Sequence, residues 1–448
     1  MAKTDKIELF ETMPIPSAVA GLVIPTVFSC LVMVLYNLAD TFFVGMLNDP
    51  IETGAVTLAA PVILAFNAVV NLAGVGCSSV MSRAMGVHDY DTVKKTSAFG
   101  FYFSILAGAV FSLACTLGRA PLMRLLGADE TTRDATARYL MWTVTCGAIP
   151  SILNVVTAQL FRAEGMALHA SVGTMSGCLL NILLDPLFIL PGGLNLGAAG
   201  AGCATFLSNC AACLYFVVLK AVKKERSLVS MDPRDFRPTG TILRQVCGVG
   251  VPAAIQNLLN VTGMTVLNNF MSAYGSEAVA AIGIAHKLAM IPMYIAMGIS
   301  QGTMPLIGYN FSSGNRSRMR EGLFFAAKIS CALMVLGTGL YLVFARGIVA
   351  LFMKNETVIA YGAAFLIGQA LAQPFLSVDF LGVGVFQACG MGRKSLAFAI
   401  LRKVVLEIPA LVLLNRLFPM VGLAYAQLTA EVLLAAAAVW ELQKILRA

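Results

Sequence analysis

Five carboxylates stand inside long apolar stretches of this chain: Asp40, Asp185, Asp379, Glu407 and Glu431. An ionisable group in such a setting is costly to keep, which makes it a candidate for function. Asp40 follows Tyr36 by four positions and Asn37 by three, so on a helix the three share roughly one face. Asp185 has Asn181 four positions before it and Pro186 directly after it. A proline inside a helix removes one N–H donor and frees carbonyl oxygens. An acid, an amide and loosened carbonyls are the groups that a proton relay or a small hard cation uses. No other metal is expected; if the ion is sodium, Asp40, Asp185 and Asn181 are its expected ligands. Hydrogen bonding to neighbouring helices is the alternative role for both acids.

A second set lies later in the chain. Asp379 sits five residues past Pro374, and Gln256 and Asn260 are polar positions of another apolar stretch. Met33, Met264 and Met293 could line an adaptable apolar surface, although methionine also fills ordinary helical cores. Asp379, with these polar and methionine positions, forms a second candidate site, for an amphipathic ligand or an ion. Glu407 and Glu431 have Arg402, Lys403 and Lys287 available as neutralising partners. His286 could relay protons, with packing as its plainer role.

The elements that must hold these groups are membrane helices. Of 448 residues, 58% are apolar and only 12% are charged, about half the charged share of an ordinary soluble domain. Crossing the hydrocarbon core takes about 20 apolar residues as a helix, and a helix pairs its own backbone groups. The pattern gives an all-α polytopic membrane protein with about twelve spans. They run near 17–45, 55–81, 93–117, 136–160, 168–191, 197–220, 243–273, 278–307, 323–345, 357–388, 395–415 and 419–442. The net charge of +8 comes mostly from turns between spans, where the positive-inside rule places cations, so it does not point to nucleic acid. The turns holding Arg83, Lys94 and Lys95, then Arg316, Arg318 and Arg320, then Arg393 and Lys394 share a side with both termini. That side is expected to be the cytoplasm, with the chain in the cell membrane. Arg119, Arg124 and Arg133 run against the trend.

One true linker interrupts the spans, at 221–241. Its Lys223, Lys224, Arg226, Asp232, Pro233, Arg234, Arg237 and Pro238 forbid a continuous span. It divides the chain into an N-terminal lobe, 1–220, and a C-terminal lobe, 242–448. The halves look related. GLVIPTVFSC from Gly21 parallels GVGVPAAIQN from Gly248, which aligns Pro25 with Pro252. GVGCSSVMSRAMG from Gly74 parallels GISQGTMPLIGYN from Gly298. A parallel repeat of this kind commonly sets its cavity between the halves, near the bilayer midplane.

Seven segments in order resemble the multidrug and toxic-compound extrusion (MATE) family across almost the whole chain. They are IPTVFSCLVMVLYNLADTFFVG from Ile24, SRAMG from Ser82, FRAEGMALHA from Phe161, NILLDPLFIL from Asn181, GAAGAGCATFLSN from Gly197, PLIGYNFSSGN from Pro305 and FQACGMGR from Phe386. The resemblance implies two pseudo-symmetric six-helix lobes around a central cavity that opens alternately to each side. It implies antiport, with organic cations or amphipathic drugs leaving as H+ or Na+ enters. It also implies that Asp40 and Asp185 form an acidic pair in the first lobe, with Tyr36, Asn154, Asn181 and Thr205 around it. A monomer is the family's usual state.

Other function classes find little support. There is no GxxxxGK[ST] loop for direct use of ATP and no HExxH pair on any span. No cofactor is expected beyond the coupling ion, and nothing indicates an enzyme. A flippase for lipid-linked precursors, from the same broader transporter group, is the main alternative. It would need a cationic cavity for a pyrophosphate head group, whereas the cations here lie mostly in turns. A channel would need a filter motif, and none is evident.

Overall fold

The computed structural model describes residues 2–223 and 227–447, with side chains from residue 7 onward. Lys224 and Arg226 of the linker lie outside the described residues. The N-terminal helix α1 (Ala2–Glu11) precedes the first half of the spans, and the short α5 (Arg119–Leu125) lies within it. That half consists of α2 (Ile15–Gly45), α3 (Pro50–Gly86), α4 (Tyr90–Leu117), α6 (Arg133–Cys146 and Ala148–Ala163), α7 (Ala167–Ile189) and α8 (Ala198–Val222). The second half consists of α9 (Gly240–Ser272), α10 (Ser276–Ser312), α11 (Arg316–Ala350), α12 (Glu356–Ala388), α13 (392–417) and α14 (Val421–Arg447).

Ten of these helices are long and apolar enough to cross a membrane, and α6 makes an eleventh although it bends by 49°. The bend falls at Gly147, directly after a π-helical stretch, Met141–Cys146. The twelfth rod, α13, carries Arg402, Lys403 and Glu407 at its middle, which lowers its apolar character. Its outward residues are still apolar, with Val404, Val405 and Leu413 exposed. Outward-facing Leu117, Leu183 and Val343 are likewise more than two-thirds exposed, as suits a surface solvated by lipid.

The halves meet at the end that carries the termini. A Cβ added at Gly298 would lie 2.8 Å from the Val27 Cα, and one at Gly302 would lie 2.8 Å from the Val23 Cα. Small residues let the α10 and α2 backbones approach this closely. The Ser79 hydroxyl of α3 also donates to the Gln387 carbonyl of α12. At the opposite end, Leu35, Phe42 and Met46 of α2 and Leu258 and Met264 of α9 are exposed. The arrangement is a two-lobed V, closed on the side of the termini.

Two segments tie this closed end. In the linker, the buried Glu164 carboxylate accepts from the Ser227 hydroxyl (2.7 Å), the Leu228 N–H (2.6 Å) and the Val229 N–H (3.3 Å). Tyr102 donates to the Met231 carbonyl at 2.8 Å. The described linker is thus laid against the first half rather than suspended between the halves.

Helix α1 touches both halves. Phe10 is buried and stacks on Tyr309 of α10, with ring centroids 4.8 Å apart. The Tyr309 hydroxyl donates to Glu11 Oε1 at 2.6 Å. Arg318 of α11 donates to the carbonyls of Phe10 (2.5 Å), Leu9 (3.2 Å) and Met13 (2.6 Å). It therefore satisfies carbonyls that the end of a helix leaves unpaired. On the other side, Leu9 and Phe10 pack over Gly165 of the first half. Replacing Arg318 with Ala is expected to fray this end of α1. Hydrogen exchange at residues 9–13 should then rise by about tenfold or more, because a charge-assisted hydrogen bond is worth about 1.5–3 kcal/mol. Unchanged exchange would mean that the Phe10 stack alone holds the helix.

Candidate functional site

The first-half candidates come from three adjacent helices. Helix α2 brings Tyr36 and Asp40, α7 brings Asn181 and Asp185, and α8 brings Thr205. Asp185 is fully buried and Asn181 nearly so, while Asp40 and Tyr36 are half-buried on the cleft-side end of α2. The partners of Asn181 fix its amide orientation. Its nitrogen donates to Asp185 Oδ2 at 3.0 Å, and its oxygen accepts from the Thr205 hydroxyl (3.2 Å) and the Thr205 N–H (3.0 Å). The four-residue spacing read from the sequence therefore does bring Asn181 onto Asp185.

Helix α7 runs on through Pro186 to Ile189. Proline has no N–H, so the Ile182 carbonyl loses its usual donor one turn below the acid. Tyr36 faces Thr205, and the charges of Asp40 and Asp185 lie within electrostatic range of one another. Tyr36, Asp40, Asn181, Asp185 and Thr205 thus belong to one cluster. Asn37 does not join it. Its side chain is exposed and donates to the Met33 carbonyl of its own helix at 2.8 Å.

Asn154 stands in an adjoining amide network. It donates to Asn209 Oδ1 at 3.1 Å, and Asn209 donates to the Ser151 hydroxyl at 3.1 Å. The buried Asn154 Oδ1 has no hydrogen-bond partner among the described residues. The sequence reading did not single out Asn209, although it closes the GAAGAGCATFLSN segment. It also passed over Tyr139, which is buried on α6 within electrostatic range of both Asp40 and Asp185. Tyr139 lies just after Arg133 and Arg138, in a stretch whose charge obscured the start of the span.

The second half holds a separate cluster of buried charge. Arg402 Nε donates to Glu431 Oε1 at 2.7 Å, and Arg402 Nη1 lies 3.5 Å from Asp379 Oδ2. All three side chains are at most 5% exposed. Lys403 donates to both Glu407 oxygens, at 2.6 and 2.8 Å. The π-helical stretch Leu401–Glu407 turns Arg402, Lys403 and Glu407 inward together. Such wider turns shift side-chain register within a helix and are often found at functional sites. Arg402 neutralises Glu431 and Lys403 neutralises Glu407, whereas Lys287 is exposed and pairs with neither. Asp379 gains only the longer Arg402 contact, and neither of its oxygens has a hydrogen bond among the described residues.

The remaining candidates scatter. Gln256 accepts from Gln387 Nε2 at 3.2 Å, near the junction of the halves. Asn260, Met33 and Met293 are half-buried and Met264 is exposed. They lie on α2, α9 and α10, whereas Asp379 lies on α12.

The MatE family model matches this chain twice, at residues 25–187 and 252–413. The chain belongs to the MatE family. The two matched segments begin at Pro25 and Pro252, the prolines paired by the internal repeat, and each lies inside the first span of its half. The chain is 32% identical over 447 residues to the multidrug export protein MepA of Staphylococcus aureus strain MRSA252, covering 97% of this chain and 95% of that one. It is 31% identical over 440 residues to MepA of Staphylococcus saprophyticus, with the same coverage. Among solved structures it resembles a MATE protein in complex with MaL6, with 25% identity, 98% of each chain covered and a TM-score of 0.92. An outward-facing multidrug resistance MATE transporter matches equally well, with 25% identity, a TM-score of 0.92 and coverage of 98% of this chain and 97% of that one. This MatE protein is thus a multi-pass membrane transporter built as two six-helix lobes.

Proposed function

We propose that the chain is a secondary antiporter of the cytoplasmic membrane, exporting organic cations or amphipathic drugs in exchange for H+ or Na+. The observation that carries this reading is the first-half cluster. A fully buried acid, Asp185, is hydrogen-bonded by Asn181 and coupled electrostatically to a half-buried acid, Asp40. Intramembrane carboxylates that face one another across helices suit an ion relay. The relatives named as multidrug exporters support drugs as the cargo.

Basic turns beside the termini support placing both termini in the cytoplasm, which makes the closed end of the V cytoplasmic and the open end external. The conformation then corresponds to one stage of alternating access. Proton or cation binding at the acid pair would let the first lobe repack and release the drug, a coupling of two ligands through one conformational equilibrium. Two carboxylates beside an amide suit H+ or Na+ equally. The alternative of a lipid-linked-precursor flippase would call for free cations lining the cleft, but Arg402 and Lys403 are buried and paired. The reading is of a monomer with lobes at 1–220 and 242–448.

The test is efflux of a fluorescent organic cation from proteoliposomes under a pH gradient or a sodium gradient applied separately. Efflux driven by one of the two gradients is expected, and that gradient names the coupling ion. No gradient-driven efflux of any of several cations would overturn the antiporter reading.

A further inference from the structure

On the side of the termini, where the two halves meet, lies an open cavity of roughly 630 Å³. Its lining comes from both halves: Arg83 from α3, and Thr241, Arg244, Gln245 and Gly390 from the second half and its approach. Thr241, Arg244, Gln245 and Gly248 are spaced at i, i+3, i+4 and i+7, so they form one face of the first turns of α9. Among the described residues, no acidic one lines the cavity.

Both arginines lack a counter-ion among the described residues. Arg83 spends only its Nε, on the Ser79 carbonyl of its own helix at 3.1 Å. Among the described residues, neither Arg83 nor Arg244 forms an ion pair. The Arg83 guanidinium is held in place across the junction. It lies against Gly390, whose φ of +77° suits glycine and where an added Cβ would fall 2.4 Å from Arg83 Nη1. The start of α9 adds a third source of positive potential. The Thr239 hydroxyl caps the Ile242 N–H at 3.4 Å, and Gly240 and Thr241 of the same first turn, whose N–H groups a helix start leaves free, line the cavity.

We infer that this cavity binds a phosphate-bearing anion. Two unpaired guanidiniums and the N-terminus of a 33-residue helix offer the donors that phosphate takes. The cavity lies on the side of the basic turns, which the positive-inside rule assigns to the cytoplasmic leaflet, where anionic lipid head groups concentrate. An anionic phospholipid and a free phosphate share this chemistry. Because Arg83 and Arg244 belong to opposite halves, the bound anion bridges them and favours the state closed on this side. This follows from the geometry of the junction and holds whichever ion drives transport.

The experiment uses the full chain in nanodiscs of phosphatidylcholine, with phosphatidylglycerol added in one arm and inorganic phosphate in the other. Binding is read by native mass spectrometry and by anion-dependent thermal stabilisation. The phosphatidylglycerol arm should show retained lipid and a raised unfolding temperature. In Arg83→Ala/Arg244→Ala, retention should fall by about tenfold or more, given about one charge contribution per arginine. Arg244→Gln changes one exposed side chain and is a variant that should fold; it should show a smaller loss in the same direction. Saturable stabilisation by inorganic phosphate alone, lost in the same variants, would assign the site to the free anion. Retention unchanged in both variants, or no response in either arm, would overturn the inference.

Discussion

Asp185→Asn is expected to reduce gradient-driven efflux to the rate seen without a gradient, while leaving the protein folded and inserted. The reason lies in what each side chain can still do. An asparagine at this position keeps an oxygen that can accept from Asn181 Nδ2, now 3.0 Å from the acid, so the local packing survives. It cannot take up or release a proton, and it carries no charge for a cation. Coupling free energies of about 1–3 kcal/mol correspond to about 5–150-fold effects on the linked equilibrium. The loss should be of that order in proteoliposome efflux and should be absent from passive substrate binding. Asp40→Asn should give the same direction with a smaller loss, because Asp40 is half-buried and Asp185 is fully buried. If driven efflux survives Asp185→Asn at normal rate, the relay lies elsewhere, and the second-half charges become the place to look.

The sequence made some of this architecture legible because membrane burial writes itself plainly. Apolar runs mark all twelve rods, although α13 falls short of the apolar length the other eleven reach, and the paired prolines Pro25 and Pro252 mark the repeat. The contact of Asn181 with Asp185 was readable because both lie on one helix with four-residue spacing. Contacts between helices were not readable in that way. Tyr139 reaches the acids from α6, where the charged run before it hides its inward orientation. The Arg402 network depends on a π-helical stretch, which changes the spacing that an ordinary helical reading assumes. The repeat itself misleads at one point. Fifteen residues after Pro25 stands Asp40, but fifteen after Pro252 stands Leu267. Thus the first acid has no counterpart in the second lobe, and that lobe builds its own charge cluster from α12, α13 and α14. The methionines and Asn260 show the limit from another side, since nothing in their types says which face of a helix opens onto a cleft.

Arg402→Met should be the most destabilising single change in the second lobe. The arginine is the shared cation of two buried acids, Asp379 and Glu431, and it lies over the Phe380 ring at 5.4 Å. Removing it leaves two carboxylates buried with no cation between them, and breaking a buried pair this way costs about 3–5 kcal/mol. Thermal unfolding of the purified protein should show a fall of that order, together with lower yield in the membrane. Replacing all three residues, as Asp379→Asn/Arg402→Met/Glu431→Gln, removes the uncompensated charge and should recover most of the lost stability, since neutral replacements of a buried triad are often tolerated. The recovered variant then separates structure from coupling. If it folds and still shows gradient-driven efflux, the second-lobe charges serve packing and registry, and the coupling rests with Asp40 and Asp185. If it folds but efflux no longer responds to the gradient, Asp379 or Glu431 takes part in the relay. In that case the unpaired oxygens of Asp379, held 3.5 Å from Arg402 and hydrogen-bonded to no described residue, are where the ion would act.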